Sequence, residues 1–391
     1  MMSVGAVSTL VVAGLASLFM AWAIGAGSSG STPFAPAVGA NAISVMRAGF
    51  LVGILGFSGA VLQGANVSET VGTGLIRGVT LTPPAVVTVL AIAAALVATG
   101  VFAGYPIATA FTVTGAVVGV GLALGGEPAW ATYREIVSLW VAVPFVGGGV
   151  AYATAKTLRS VDRDRLTIPG LGAFVGAIVA NVRFGVLGES GARSIAEVLA
   201  DVAGGPPLLT LVGATVGLGV AGAAVLRWDI GRDPIAGMRH FLVAMGSLVA
   251  FSAGGSQVGL AVGPLIPLVG NTVPLLAILL GGGIGLLVGS WTGAPRMIKA
   301  IARDYSSLGP RRSIAALIPA FVLAQSAVYL GVPVSFNEIV VSAIMGSGLA
   351  VEGSEGVSAS KMGYTVLAWV GSLLGSLAVG YAGLTLVGVL R

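Results

Sequence analysis

Apolar residues run along this chain in long blocks, and short polar or glycine-rich segments separate them. At roughly 20 apolar residues per membrane crossing, the blocks predict spans near 4–24, 42–63, 84–103, 110–125, 136–155, 168–188, 207–226, 239–254, 272–290, 313–331, 338–350 and 361–385. Some blocks are short enough to be half-helices, so we expect ten to twelve segments. The pattern predicts an all-α polytopic membrane protein, because a lone segment in lipid must satisfy its own backbone.

Two polar interruptions lie inside apolar runs instead of between them. They are residues 21–40 and 251–265, and both are rich in glycine and serine. Broken backbone inside a membrane needs protein, water or a ligand to satisfy its polar groups. We therefore interpret both interruptions as broken helices and as candidate binding sites.

The two interruptions begin matching series of landmarks. A proline and then a tryptophan follow each one, at nearly the same spacing. The landmarks are Gly25, Pro106 and Trp140 in the first half and Gly254, Pro333 and Trp369 in the second. This recurrence predicts an internal duplication, with a first repeat at 1–155, a connector of about two spans at 156–238, and a second repeat at 239–391.

The basic residues predict that the two repeats have opposite orientations. The segment 291–312 carries Arg296, Lys299, Arg303, Arg311 and Arg312, whereas the corresponding segment 64–83 carries only Arg77. Because positive loops stay in the cytoplasm, we expect 291–312 inside and 64–80 outside. The basic loops 156–165 and 227–239 are then cytoplasmic as well.

Composition supports a protein of the cell membrane. Of the 391 residues, 56% are hydrophobic and 8% are charged, against about a quarter charged in soluble domains. The net charge of +5 is spread over loops between spans, so we assign it to topology and expect no nucleic-acid partner. The absence of cysteine excludes disulfides and thiolate metal sites. We expect no cofactor and no resident metal.

The order of several segments resembles the inorganic phosphate transporter, or phosphate permease, family. In the first half these are AWAIGA, GAVLQGANVSETVGTGLI and GYPIATAFTVTGAVVGVGLA. In the second half they are FSAGGSQVGLAVGPL, WTGAPRMIKAI, LGPRRSIAA, GVPVSFNEIVVSAIMGSGLA and VLAWV. The resemblance implies two inverted repeats, a substrate site between them near mid-membrane, and cation-coupled uptake of phosphate, with sulfate as the substrate of a few members.

The chain departs from the family pattern at both interruptions. Where the pattern has an aspartate, this chain has Ser28 in the first half and Gln257 in the second. Phosphate near neutral pH carries a P–OH group and needs an acceptor, whereas sulfate needs only donors. The loss of both aspartates therefore favours sulfate as the substrate. Glu338, however, could supply the acceptor that phosphate needs.

Hydroxyls, amides and free backbone N–H groups at half-helix ends can bind a tetrahedral oxyanion without a buried cation. The interruptions and the two later breaks supply such groups. The candidate substrate-binding residues are Ser28, Ser29, Ser31, Thr32, Thr109, Thr112, Ser256, Gln257, Ser335 and Asn337. We expect Ser28, Ser29, Ser256 and Gln257 to line one cavity with Thr109 and Ser335.

Two acidic residues are candidates for a coupling-ion site, because a carboxylate inside a membrane is costly and often functional. Glu338 precedes the apolar run IVVSAIMG, and Glu69 lies in a small-residue segment. Proton coupling needs a group that titrates, and Glu338 is the better placed of the two.

These features favour a secondary active transporter of inorganic phosphate, coupled to Na⁺ or H⁺, working by alternating access in the lipid bilayer. A sulfate or related oxyanion permease is the first alternative, and an anion channel is the second. A homodimer is compatible with either. An enzyme is not expected, since the chain has one histidine, no cysteine and no nucleotide-binding loop.

Overall fold

The computed structural model describes residues 4–160, 164–187 and 192–389. Almost all of this is helical. The helices of the first half are α1 Val4–Gly27, α2 Ala35–Gly39, α3 Val45–Gln63, α4 Ala65–Thr73, α5 Pro83–Ala103, α6 Thr109–Ala123 and α7 Trp130–Ser160. The middle holds α8 Asp164–Asn181, α9 Ile195–Ala203 and α10 Pro207–Arg232. The second half has α11 Pro234–Val262, α12 Ile266–Val269, α13 Leu275–Thr292, α14 Ala294–Asp304, α15 Pro310–Leu330, α16 Phe336–Glu352 and α17 Ala359–Val389.

Every predicted span overlaps a helix, although the span 168–188 extends past the end of α8 at Asn181 and its last residue lies outside the described residues. In the described residues, nine helices are long and apolar enough to cross a membrane. The other three predicted spans, 110–125, 168–188 and 338–350, fall on the shorter helices α6, α8 and α16. The prediction of an all-α polytopic membrane protein is confirmed.

The two halves have the same order of elements, and one pair of equivalent helices has closely matching boundaries. Helices α5 and α15 both contain 21 residues and both begin at a proline, which lacks the N–H that a first helical turn cannot use. Both end before a glycine with left-handed backbone, Gly104 at φ 74° and Gly331 at φ 67°. A residue with a Cβ would strain that turn.

Packing between the halves is reciprocal. Helix α1 packs on α13 and α11 on α3, while α17 packs on α6 and α7 on α16. Two landmark glycines permit the first pair of contacts: a Cβ at Gly25 would strike the backbone of Leu286, and one at Gly254 would strike the backbone of Gly56. Small residues let membrane helices approach this closely.

Short two-stranded pairings show which helix ends lie together. Strand β1, Ile76–Arg77, pairs with β2, Glu127–Pro128, so the segment after α4 lies beside the end of α6. The equivalent segments of the second half are joined by a bridge between Ser306 and Val357. A second pair, β3 Arg183–Phe184 with β4 Arg193–Ser194, belongs to the middle segment.

Contacts between helix ends support the predicted inversion of the repeats. Helix α7 starts where α6 ends and is long enough to reach the other side. At its far end, Arg159 donates a hydrogen bond to the carbonyl of Val351 near the end of α16, at 2.7 Å. Helices α6 and α16 are counterparts in the predicted duplication, so this contact is the one expected if their ends lie on opposite sides, and the inversion itself stays a prediction. The orientation relative to the cytoplasm stays a prediction.

Four of the expected irregular segments are mainly helical. Helix α11 runs without a break through 251–262, so the second interruption is displaced to the 3₁₀ turn Gly263–Leu265. The expected linker 291–312 contains α14. The loop 227–239 is two helix ends around Asp233, and 156–160 is the end of α7, while 161–163 lie outside the described residues. Helix satisfies its own amides, which is why glycine and serine there do not break it.

Candidate functional site

Four segments, two from each half, meet in the centre of the protein. They are the turn after α1, the last two turns of α11, and the first residues of α6 and α16. At their junction the Gln257 Oε1 atom accepts hydrogen bonds from Thr109 Oγ1 at 2.7 Å and from Ser28 Oγ at 3.2 Å. These three residues, the central cluster, have no exposed surface.

Ser28 and Gln257 occupy equivalent positions of the two repeats, three residues after Gly25 and Gly254. Their direct contact places the equivalent positions of the two predicted repeats side by side. An inverted-repeat transporter is expected to hold its substrate where such positions meet.

The extended loops that precede α6 and α16 are tied to this centre. Gln257 Nε2 donates to the Val334 carbonyl at 2.7 Å. Asn337 Nδ2 donates to the carbonyls of Ile107 at 2.6 Å and Gly27 at 3.0 Å. Side-chain amides therefore satisfy backbone acceptors that helix would otherwise satisfy, and they hold both loops in place.

The tryptophan landmarks brace the proline landmarks of the opposite half. Trp140 Nε1 donates to the Pro333 carbonyl at 3.0 Å, and Trp369 Nε1 donates to the Pro106 carbonyl at 2.7 Å. Phe111, in the first turn of α6, stacks on Trp140 with ring centroids 3.9 Å apart. The spacing that indicated a duplication thus reflects two equivalent hydrogen bonds.

Helices α6 and α16 begin at the centre, and their N-termini face it. Helix α6 has no side-chain cap, whereas Ser335 Oγ accepts from the Glu338 N–H at 3.5 Å at the start of α16. The first N–H groups of a helix lack partners within the helix, and its N-terminus carries positive partial charge. Both features favour an anion here.

Three buried oxygen atoms close to these segments in sequence have no hydrogen-bond partner among the described residues: Ser256 Oγ, Asn337 Oδ1 and Glu338 Oε2. Glu338 is also the only Asp, Glu, Lys, Arg or His side chain that is buried in the described part of the chain. Unpaired buried polar atoms are costly, and a bound ion or substrate would relieve that cost.

The other candidate residues are buried, but their side chains bond within their own segments. Ser31 and Thr32 donate to the Ser28 carbonyl, Ser29 to the Ile24 carbonyl, and Thr112 to the Ala108 carbonyl. The Ser28 and Ser29 amides also donate to Ile24. The Ser28, Ser29, Ser31 and Thr32 amides of the first interruption are paired, and α11 pairs those of 251–262. The starts of α6 and α16 are therefore the main source of free backbone donors.

Glu69 is not part of the centre. It lies on α4 with its side chain exposed, and its backbone carbonyl accepts a hydrogen bond from Thr73 Oγ1 at 3.0 Å. Helix α4 packs against α11, and the exposed Glu69 side chain takes no part in the contacts of the centre. Its role as a coupling-ion residue stays a prediction.

Sequence reasoning missed the polar residues next to the centre on one side. Gln63, Ser252 and Gln325 form a hydrogen-bonded chain beside α11. Gln325 alone could have been found, as an amide in the middle of the apolar run PAFVLAQSAVYL.

Comparisons with known proteins agree with the geometry. A profile of the phosphate transporter family matches residues 24–380. The inorganic phosphate transporter 2-1 of Arabidopsis chloroplasts is 26% identical, over 90% of this chain and 68% of that protein. A Thermococcus kodakarensis protein, whose name assigns it provisionally to the phosphate permeases, is 27% identical over 90% of both chains.

A solved structure shares the fold. It is described as the sodium-dependent phosphate transporter, and it superposes with a TM-score of 0.81 at 23% identity, covering 98% of this chain and 99% of that one. The helix order, the central junction and the profile match over most of the length agree with one another. This chain is a member of the phosphate transporter family.

Proposed function

We propose that the protein is a secondary active transporter that moves inorganic phosphate across the cell membrane, coupled to Na⁺ or H⁺. The observation that carries the proposal is the central cluster, where the equivalent positions Ser28 and Gln257 meet in a fully buried contact. Family membership supports phosphate as the substrate.

The groups at the centre suit an oxyanion. The hydroxyls of Ser28 and Thr109 can rotate to donate to a ligand instead of Gln257, and the N-termini of α6 and α16 add partial positive charge. Phosphate also needs an acceptor for its P–OH group. The Oδ1 atom of Asn337 and the Oε2 atom of Glu338, both buried and unpartnered, are of the right kind.

The reciprocal packing of the two halves supports alternating access as the transport mechanism. Each half contributes one extended loop, before α6 or α16, and one tryptophan that holds the loop of the other half. The two halves can therefore open and close in turn on either side of the central contact. A site with no exposed surface is an occluded one. This favours a gated transporter over the alternative of an anion channel, which needs a continuous pore when open.

The coupling ion can be held in two ways. Carbonyl, amide and hydroxyl oxygens can bind Na⁺, and the Oδ1 atom of Asn337 is available for this. Proton coupling instead requires a carboxyl group at the site, and Glu338 is buried in the first turn of α16. Both residues belong to one helical turn, so either ion would act on the same element.

Sulfate is the second candidate substrate, and a specific observation favours it. The Ser28, Thr109 and Gln257 group contains no carboxylate, and its hydroxyls donate towards a single amide oxygen. Sulfate at neutral pH has only acceptor oxygens, so such a site satisfies it without an added acceptor.

Radiolabelled uptake into proteoliposomes tests the proposal. We expect phosphate to accumulate when a Na⁺ or pH gradient is imposed, with the two gradients applied separately. If sulfate accumulated and phosphate did not, the substrate would be sulfate. If uptake never exceeded equilibrium under either gradient, the protein would be a channel and not a coupled transporter.

A further inference from the structure

A large cavity lies on one side of the central cluster. Its volume is about 730 Å³, and it is bounded by the ends of α3, α8 and α15 and by the start of α4. Most of its wall is apolar, with Phe174 and Tyr329 among the larger side chains. The polar side chains of the lining are Asn181 and Arg183, which we call the mouth, Gln63 and Gln325, which we call the inner wall, and also Asn66 and Ser326.

The inner wall is a chain of hydrogen bonds that leads to α11. Gln63 Nε2 donates to the Arg183 carbonyl at 2.9 Å and to Gln325 Oε1 at 3.4 Å. Gln325 Nε2 donates to Ser252 Oγ at 2.6 Å. Ser252 is fully buried and lies one turn before Ser256 on the same face of α11.

The cavity wall touches the segment that carries the central cluster. A Cβ at Gly255 would lie 2.8 Å from the Gln63 Cβ and 3.4 Å from the Gln63 Oε1 atom. Gly255 is followed by Ser256, whose hydroxyl is unpartnered, and then by Gln257. The Gln63 side chain thus packs directly against the backbone of α11 at Gly255, where there is no side chain to keep it away.

In the described residues of the opposite halves, alanine occupies two of the three positions that correspond to Gln63, Gln325 and Ser252, while Gln63 itself corresponds to Thr292. Counted from the equivalent prolines Pro106 and Pro333, Gln325 corresponds to Ala98, and counted from Gly25 and Gly254, Ser252 corresponds to Ala23. Both alanines are buried in the apolar core. Polar groups were therefore placed on one side of a nearly symmetric scaffold, although buried amides in a membrane are costly without a role.

We propose that this cavity is a water-filled vestibule through which the oxyanion reaches the central cluster, and that Gln63 and Gln325 form its inner gate. This proposal rests on the proposed function. Amide N–H groups donate to an oxyanion without full charge, so the ligand can enter and leave, as a permeation path requires. The Arg183 guanidinium at the mouth is paired with Glu197 at 3.0 Å, and its charge is already largely balanced.

Single cysteines in this naturally cysteine-free chain test whether the cavity holds water. Ser326 lines the cavity on α15, and its counterpart on α5 is Thr99, which is exposed but does not line it. In nanodiscs, where both faces are accessible, we expect a charged thiosulfonate to modify Ser326→Cys at least about tenfold faster than Thr99→Cys, because the reactive thiolate forms only in water. Inorganic phosphate should slow the modification of Ser326→Cys.

The opposite result would overturn the vestibule. If Ser326→Cys reacted only with a lipid-soluble maleimide, and resisted the charged reagent as Thr99→Cys does, the cavity would be occupied by lipid. Mass spectrometry reports this without any transport assay. The vestibule can therefore fail while phosphate uptake by the wild type still upholds the proposed function.

Replacing Gln325 by its repeat counterpart tests the gate. We expect Gln325→Ala to lower the initial rate of phosphate uptake by about 10-fold or more, the effect of losing a hydrogen bond to a charged ligand, while equilibrium phosphate binding changes less than about threefold. The control Ser58→Ala removes a hydroxyl on α3 that bonds only to the Ile54 carbonyl, and its uptake should match the wild type. Equal uptake by Gln325→Ala and wild type, with both folded, would refute the gate. Loss of uptake and binding together would place Gln325 in the substrate site instead.

Discussion

Ser28 and Ser256 are adjacent to the same central point but have different partners. Ser28 Oγ bonds to Gln257, whereas the buried Ser256 Oγ bonds to nothing among the described residues. Replacing either by alanine should weaken phosphate binding by about 1.5–3 kcal/mol, the range for hydrogen bonds to charged groups. For Ser256→Ala we expect no loss of thermal stability, because no internal hydrogen bond is removed.

Equilibrium binding of labelled phosphate to the purified variants measures the effect. Ser247→Ala is the matched control, since Ser247 lies on the same helix and donates only to the Val243 carbonyl. Unchanged binding in both Ser28→Ala and Ser256→Ala would move the substrate site away from the central cluster.

Glu338 is the residue on which proton coupling depends in our proposal. It is buried in the first turn of α16, and its Oε2 atom has no partner. Glu338→Gln keeps the shape but cannot release a proton, so transport should lose its dependence on pH while phosphate binding stays measurable. The exposed Glu69 gives the control, Glu69→Gln, in which pH dependence should persist.

A capping role for Glu338 predicts a different outcome. The sequence Ser335 to Glu338 has the spacing of a capping box, and Ser335 Oγ accepts from the Glu338 N–H. If Glu338→Gln kept the wild-type pH dependence, Glu338 would be a structural residue and coupling would rest on Na⁺ or be absent.

At the level of helices and loops, the two tryptophan contacts hold the loops that begin α6 and α16. Trp140→Phe and Trp369→Phe each remove the N–H that satisfies a buried proline carbonyl. A buried acceptor left without a partner costs about 1–3 kcal/mol, so each variant should unfold at a lower temperature. Combining both changes should lower uptake further, since both substrate loops are then unsupported.

Trp291→Phe is the control for those variants. Trp291 Nε1 also donates to a backbone carbonyl, that of Phe50, but the side chain is 44% exposed near the end of α13. Water can replace that hydrogen bond at the membrane surface. Equal losses of stability for all three tryptophans would contradict a special role for Trp140 and Trp369.

The segment between α8 and α10 is held by a carboxylate whose pKa is altered. The Ser194 N–H donates to Glu197 Oε2 at 2.7 Å, and with the nearby Arg183 guanidinium it holds the pKa of Glu197 below the ordinary 4.5, against the opposing effect of partial burial. A lowered pKa in the folded state stabilises the fold above the ordinary value. That contribution is lost as the pH falls through the lowered value.

Comparing wild type with Glu197→Gln over a range of pH tests this sign. We expect Glu197→Gln to be slightly less stable at pH 7, by no more than about 1 kcal/mol for an exposed pair. The difference should shrink in acid as the wild-type carboxylate takes up its proton. A difference that grew as the pH fell would contradict the assignment.

For the whole molecule, the central prediction is that the two repeats have opposite orientations. Thr80, after α4, and Ser307, after α14, are both exposed and occupy corresponding regions of the two halves. In intact cells, an impermeant maleimide should modify Thr80→Cys from outside and leave Ser307→Cys unmodified until the membrane is permeabilised. Modification of both from the same side would rule out inversion.

Local patterns in the sequence were enough to predict the class of fold, the approximate positions of the spans and the matching landmarks of the two halves. These depend on local properties: a long apolar run must become a helix in lipid, and the series from Gly25 and from Gly254 mark equivalent places whatever the packing. Pro83 and Pro310, with Gly104 and Gly331, likewise set the ends of α5 and α15 through their own backbone preferences.

Only the tertiary structure decided which polar groups meet and which amides are free. The glycines and serines of 251–262 read as a break, but packing on α3 keeps them helical, so the donors come from the starts of α6 and α16. The contact of Ser28 with Gln257 and the wall of Gln63 and Gln325 join residues far apart in the chain. Such contacts depend on how helices cross, and the order of residues along any one helix does not contain that information.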